Sequence, residues 1–524
     1  MKRFLSLLLV LLLLTGCTTN SATNQTNQTT SAATVPVQNR ILDFSDCIEV
    51  EGMISHQSID KYSLFESEGV VSTKHVLYVP AGTTVKSEVS FAVYTYTKYD
   101  KLAVDELSAT GQNVFNTYFV MMEPGTVVLN TNSYLRVSVK GKLTDLVMTY
   151  PAGKEAEVRV IDREYEAYGK DYDRILPKIK TVSNDTINYI FITDIHYDAG
   201  EFSDVQMKSL KKQVELAVQL ANEGDAIDFV VVGGDITSGN REDKQKTYTR
   251  VTEALAPLNE CKKPVLVLMG NHDDNTYFAY EEAYDEEMAA NIVSKKSWND
   301  LVLKTYSPST IVHDSQNENS AYYYYDLPGK KVRAICLDAI DYPQQVDDNG
   351  DVLASSLELN DEGNSKNGRS YWGYSTRQLR WLIDEALTAE DGWDYIFLSH
   401  MKAEAENYGT ELKTLITAFQ NRTTYSHTEI GNADFSTASG KILAYHYGHQ
   451  HNNKMTLDDD MKLWQILTGT TNITLLSNND PSSGNYRTFR TENECCFDVV
   501  SLTPTTILKY GFGCSPDETV SIPE

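Results

Sequence analysis

From Asn188 to Asp273 the sequence reads strand, helix, strand, helix, strand. "NYIFITDIH" (Asn188–His196), "IDFVVVGGD" (Ile227–Asp235) and "PVLVLMGNHD" (Pro264–Asp273) are apolar at successive positions, so both faces of each strand need cover. "SDVQMKSLKKQVELAVQLANEG" (Ser203–Gly224) is amphipathic, with Ser203 as the expected N-cap and Gly224 as the stop. A second helix is expected near Tyr248–Leu255. Parallel neighbours cannot be joined by a tight turn. They need a crossover of a dozen or more residues, and each helix supplies one. These features commit the chain to an α/β domain built on buried, largely parallel strands.

The same texture continues downstream. Strands are expected in "VRAICLDAI" (Val332–Ile340), "WDYIFLSH" (Trp393–His400), "KILAYHYGHQH" (Lys441–His451) and "MKLWQILTG" (Met461–Gly469). "STRQLRWLIDEALTA" (Ser375–Ala389) is a helix with Ser375 at its cap. "FDVVSLTPTTILKYGF" (Phe497–Phe512) reads as a hairpin closing a sheet edge. Residues 41–165 differ: short alternating runs separated by "PAGT" (Pro80–Thr83) and "EPGT" (Glu123–Thr126) predict an all-β sandwich. In "YLRVSVKG", Leu135, Val137 and Val139 fall on one face and Arg136, Ser138 and Lys140 on the other. Such a sandwich serves as a spacer or binds glycan.

The start of the chain bears on the compartment. "MKRFLSLLLVLLLLTGC" has a basic opening, Lys2 and Arg3, and an apolar run too short for a membrane span, so residues 1–17 read as a signal peptide. Its end, "LTGC", resembles the bacterial lipobox, which implies cleavage before Cys17, lipid attachment to its thiol and anchoring at the extracytoplasmic face of the membrane. Residues 18–40 are polar and repetitive, a flexible tether. The net charge of −27 repels phosphate backbones and argues against long nucleic acid as a partner. It leaves open a small anionic substrate, because a bound cation reverses the local field.

Ligands of open α/β sheets gather beyond the carboxyl ends of the strands. Five strand ends here finish in metal-ligand residue types: Asp194 and His196 in "DIH", Asp235 in "GGD", Asn271, His272 and Asp273 in "GNHD", His400 in "SH", and His449 and His451 in "GHQH". Residues i and i+2 of an extended segment point the same way, so Asp194 with His196, and His449 with His451, form matched pairs. Five of the ten histidines lie at these ends. The order and spacing resemble the metallophosphoesterase superfamily, the calcineurin-like phosphoesterases, whose pattern is D-x-H, G-D, G-N-H-[DE], a lone H, and G-H-x-H.

The resemblance implies a two-sheet α/β/β/α sandwich over residues 186–513, followed by a tail at 514–524. It implies one metal held by Asp194, His196 and His451, a second held by Asn271, His400 and His449, and the Asp235 carboxylate bridging both. Mixed oxygen and imidazole ligation suits Mn, Fe or Zn. The activity implied is phosphoester hydrolysis by a hydroxide that the two ions share, with phosphodiesters expected before monoesters. His272, beside a ligand but not itself one, would donate a hydrogen bond or proton to the phosphate or leaving group. Asp273 joins it as a catalytic candidate whose role is instead to orient a neighbour. The purple acid phosphatase branch has Gly for the first His and a Tyr ligand three residues after the G-D acid. This chain has His196 and Ser238 there, and looks more like the phosphodiesterase branch. The alternatives are a monoesterase or nucleotidase scavenging phosphate, and a non-catalytic glycan-binding surface lipoprotein.

Other residues have plainer readings. His446 is expected as a packed strand histidine, Asp338 and Asp341 as solvated loop acids, Tyr322–Tyr325 as a half-buried strand and Asp347–Asp351 as a polar turn. Gly233 and Gly234 are expected to let the backbone approach the metals closely. Arg333, Arg377 and Lys402 are candidate phosphate contacts by position. Cys261 and Cys336 read as buried thiols, and a bridge among Cys495, Cys496 and Cys514 is open, as is any pairing of Cys47.

Overall fold

The computed structural model describes residues 40–41, 49–51, 53–54, 64–65, 68–73, 76–97, 101–102, 107–108, 123–154, 157–161, 168–180, 185–197, 204–239, 243–276, 286–327, 329–356, 372–389, 392–473, 487 and 493–523. The signal segment 1–17 with Cys17, the tether to residue 39, Cys47 and the cap residue Ser203 lie outside them. Among the described residues no helix is long and apolar enough to cross a membrane.

The first described region is all β. Two antiparallel sheets, one centred on Thr84–Ser87 and one on Ser133–Lys140, enclose a core that includes Leu77, Val85, Phe91, Val127, Leu135, Val137 and Val139. The alternation of "YLRVSVKG" places its three apolar residues inward as expected. Its polar face is not solvated at Arg136 and Ser138, which are 3% and 0% exposed. Ser133–Lys140 is a central strand, so Arg136 Nε donates to the Thr73 carbonyl at 2.7 Å and the Ser138 hydroxyl meets that of Ser72 at 2.7 Å.

The second region has its own, larger core. One sheet runs in the order Val265–Val267, Phe229–Val232, Ile187–Ile192, Cys496–Leu502, Thr506–Gly513, Glu518–Ser521. Its first three strands are parallel and the rest antiparallel. The other sheet has parallel strands Val332–Cys336, Asp394–Leu398, Ile442–Tyr447 and Leu463–Leu467 at its centre, with antiparallel strands at both edges. Every residue of Ile187–Ile192, Phe229–Val232 and Ile442–Tyr447 is buried, which requires cover on both faces. The sheets cover each other on one side: the His446 ring stacks on Phe191 at 3.8 Å, and the Val267 amide donates to the Tyr323 hydroxyl at 2.9 Å. Helices such as Asp204–Glu223 and Gly409–Gln420 cover the other side and join the same core. The result is the α/β/β/α sandwich.

Two segments outside residues 186–513 belong to this core. The helical stretch before it buries Tyr168, Ile175 and Ile179 there, and Arg174 pairs with Asp517 at 2.7 Å. The tail is not loose: Glu518–Ser521 pairs along Thr506–Gly513, and Ile522 is buried. Cys261, Cys336, Cys495, Cys496 and Cys514 are all free thiols.

Candidate metal centre

Each of the five motifs begins within four residues of its strand's last residue, all at one end of the two sheets. Asp194, His196, Asp235 and His451 have ligand atoms within 4.8 Å of one another, and so do Asp235, His400 and His449. Asp235 is common to both groups. Its Oδ2 lies 3.5 Å from His196 Nε2 and 3.2 Å from His400 Nε2. Its Oδ1 accepts the His272 backbone N–H at 2.9 Å, so the two oxygens have separate tasks. Asn271 Oδ1 is 3.1 Å from His400 Nε2, which places it with the second group. His451 Nε2 lies 3.3 Å from Asp194 Oδ1 and 3.1 Å from His196 Nε2.

The backbone is bent to achieve this. Asp194, His196, Asp235, His449 and His451 all have left-handed φ, between 46° and 70°. Side chains at alternate extended positions would already point one way, but the chain has left the strand and holds these five residues in a sparsely populated conformation instead. Each such residue costs of order 1–3 kcal/mol, and strain of this kind persists where the surroundings over-determine it. Gly234, with φ of 93°, packs closely on a ligand side chain: a Cβ there would sit 2.7 Å from His400 Nδ1.

The electrostatics suit cations. Burial drives the imidazole of His196 down to about 3, and burial with the nearby His400 drives His449 down to about 4, so both are neutral donors. Burial opposes charge on Asp194 and Asp235, yet neighbouring histidines outweigh it, and both carboxyls lie below their usual range. Burial likewise opposes charge on His400, but the Asp235 carboxylate lifts it to about 9. Two buried carboxylates therefore draw positive charge from His400 and His451, a role that divalent ions in the same place would take over. His400 is already set for ligation: the Gly233 carbonyl lies 2.8 Å from its Nδ1, fixing the proton there and turning Nε2 toward Asp235. The donor set and its geometry fit a pair of metal ions.

His272, like His449 and His451, is partly exposed. Its ring lies 4.8 Å from that of His196, and its Nδ1 lies 3.2 Å from the Ser238 carbonyl, which turns Nε2 away from that loop. Asp273 is placed to orient its neighbours. It is fully buried, and its oxygens accept from the backbone N–H groups of Ile236, Thr237 and Gly270 at 2.8, 3.1 and 2.8 Å. Burial and the neighbouring Asp235 push its carboxyl up to about 8, against the pull of those donors. It pins the Asp235 loop to the Asn271 loop, with both oxygens engaged by backbone N–H groups.

The proposed phosphate contacts also change. Arg333 lies at the opposite end of its strand, bound twice to Asp326 and seated on the Tyr324 ring. Arg377 pairs with Asp314 at 3.1 Å. Lys402 is exposed, two residues beyond His400. Asp338 is buried rather than solvated and pairs with Lys295 at 2.7 Å; Asp341 is half-buried and accepts from Ser375 and Gln378. His446 is packed between Tyr189 and Thr468, Tyr323–Leu327 is a partly buried strand, and Asp347–Asp351 is a turn.

Two features escaped the sequence reading. Trp372 places its ring 5.1 Å from that of His449. Thr470, Thr471 and Asn472 hydrogen-bond the Asp194–His196 loop. The second follows a strand end, as the metal motifs do, but ends in hydroxyls and an amide; that strand-end position was the available signal.

The family model for calcineurin-like phosphoesterases matches residues 187–453, half of the chain and every residue of both ligand groups. Comparison with curated proteins finds no match. Among solved structures, a dimetal phosphatase from Danio rerio is similar at 16% identity, covering 64% of this chain and 99% of its own, with a TM-score of 0.43. A purple acid phosphatase from yellow lupin (Lupinus luteus) seeds is similar at 12% identity, covering 87% and 72%, with a TM-score of 0.33. With the family's motifs converging on one centre and its model spanning half the sequence, the chain belongs to the calcineurin-like phosphoesterases, metal-dependent hydrolases of phosphoesters.

Proposed function

We propose that this protein hydrolyses phosphodiesters in preference to monoesters, outside the cytoplasm and anchored to a bacterial membrane through Cys17. The observation that carries the catalytic reading is the single Asp235 carboxylate shared between two adjacent ligand groups. Asp194, His196, Asp235 and His451 would hold one divalent ion, and Asp235, Asn271, His400 and His449 a second, of the Mn, Fe or Zn class. Bound there, such ions supply Lewis acidity and lower the pKa of water toward neutrality.

The chain's own residues do the rest. The buried ligands exclude bulk water from one side of the centre, so charge developing on a phosphoryl group is met by fixed groups rather than by solvent. His272 is partly exposed, with Nδ1 engaged by the Ser238 carbonyl. Its Nε2, when protonated, donates to a phosphoryl oxygen or gives its proton to the departing oxygen. Support for a diester comes from Ser238, which stands three residues after Asp235 and lies 3.4 Å from His196 Nδ1; a purple-acid centre needs a tyrosinate at that position.

The test is turnover of bis(p-nitrophenyl) phosphate against p-nitrophenyl phosphate on the metal-loaded protein. The expected kcat/KM is roughly tenfold or more in favour of the diester. The reverse order would replace the diester reading with a monoesterase. Location is tested separately: Cys17→Ala should move the protein from the membrane pellet to the soluble fraction, and an unchanged distribution would remove the anchor.

A further inference from the structure

The left-handed backbone at Asp194 and His196 needs something to hold it. Strand Leu463–Leu467 belongs to the opposite sheet, and just beyond its end the chain folds over the Asp194–His196 loop. Thr470 Oγ1 donates to the Asp194 carbonyl at 2.7 Å, joined by the Asn472 N–H at 3.3 Å. Thr471 N and Oγ1 both donate to the Thr193 carbonyl, at 3.1 and 2.8 Å. Asn472 Nδ2 donates to the His196 carbonyl at 3.3 Å. Three carbonyls around the two ligands, at 193, 194 and 196, are thus satisfied by three successive residues of another strand end.

This turn is itself fastened from behind. Arg487, 3% exposed, donates to the Thr470 carbonyl at 2.6 Å and the Thr471 carbonyl at 3.2 Å, and further to the carbonyls of Asn493 and Glu494. Gln213, from helix Asp204–Glu223, donates to the Thr471 carbonyl at 3.1 Å. Thr470, Thr471 and Asn472 are at most 1% exposed. A guanidinium presents its donors in a fixed fork, so the position of Arg487 dictates the direction of both threonine carbonyls.

We propose that Thr470, Asn472 and Arg487 are positioning residues for metal binding: they hold the Asp194–His196 loop in the strained backbone that aims both side chains at one centre. The proposal rests on the reading of Asp194 and His196 as ligands. Loss of a partner that orients a ligand typically weakens metal affinity by about 10–100-fold.

The experiment uses the full chain stripped of metal and titrated with Mn2+ alone by competition with a chelator, alongside thermal unfolding of each variant. Thr470→Val removes the hydroxyl with little change of shape, Thr470→Ser keeps it, and Asn472→Ala removes one side-chain donor. We expect Thr470→Val and Asn472→Ala to bind Mn2+ about 10–100-fold more weakly. On bis(p-nitrophenyl) phosphate at limiting Mn2+, kcat should fall while KM stays within about twofold, and Thr470→Ser should behave as the parent. Folded variants with parent Mn2+ affinity, or a Thr470→Ser protein as weak as Thr470→Val, would overturn the proposal. Should Thr470→Val fail to fold, Asn472→Ala decides by the same readout. A parent that binds no Mn2+ would instead overturn the ligand assignment beneath it.

Discussion

Asp235→Asn should abolish most turnover, by roughly 10³-fold, the scale at which removing one preorganised electrostatic group slows an enzyme. The substitution is nearly isosteric, and the amide oxygen still accepts the His272 backbone N–H that Asp235 Oδ1 takes at 2.9 Å, so the loop should keep its course. What disappears is the negative charge on the oxygen that faces both His196 and His400. An amide NH2 in that place would direct two hydrogens at the positions where cations belong. Both ligand groups are weakened at once, so bound metal, measured by plasma mass spectrometry, should fall together with activity. Metal content near the parent's, with turnover reduced by less than about tenfold, would mean that Asp235 is not shared.

Asp273→Ala should act on stability rather than on the chemical step. Its two oxygens take three backbone N–H groups, from Ile236, Thr237 and Gly270, in a fully buried place. Truncation leaves all three without an acceptor. At about 1–3 kcal/mol for each buried group left unsatisfied, the loss should reach roughly 3 kcal/mol or more. Urea unfolding of the metal-free protein measures it without interference from ligand binding. A loss below about 1 kcal/mol would show that water or a shift of the loop supplies the missing acceptors, and that Asp273 does not fix the two loops.

The strand ends were legible because their requirements are local. A run such as "NYIFITDIH" declares both a buried strand and the polar residues placed beyond it. What lies across from a side chain is not local, and there the sequence misled. Arg333 read as a phosphate contact because it is cationic and near a motif, but it is the second residue of strand Val332–Cys336, at the far end from the centre, and it meets Asp326 across the neighbouring strand. Asp338 and Asp341 read as solvated because they follow a strand, yet Lys295 and Gln378 come from segments 35 or more residues away to pair with them, and Asp338 is buried. Alternation put Arg136 on the face opposite Leu135, Val137 and Val139 but cannot tell a central strand from an edge, so its burial was not legible. The register of the last strand, Glu518–Ser521, with its neighbour was invisible for the same reason.

Neither sheet holds a complete ligand group. Asp194, His196, Asp235 and Asn271 follow strands of one sheet; His400, His449 and His451 follow strands of the other. Every ion at the centre would therefore rivet the two halves of the sandwich, and demetallation would leave a seam. Ion exchange is then gated by how far the halves breathe apart, and hydrogen exchange at this mouth should quicken on chelation while the distant edges stay slow.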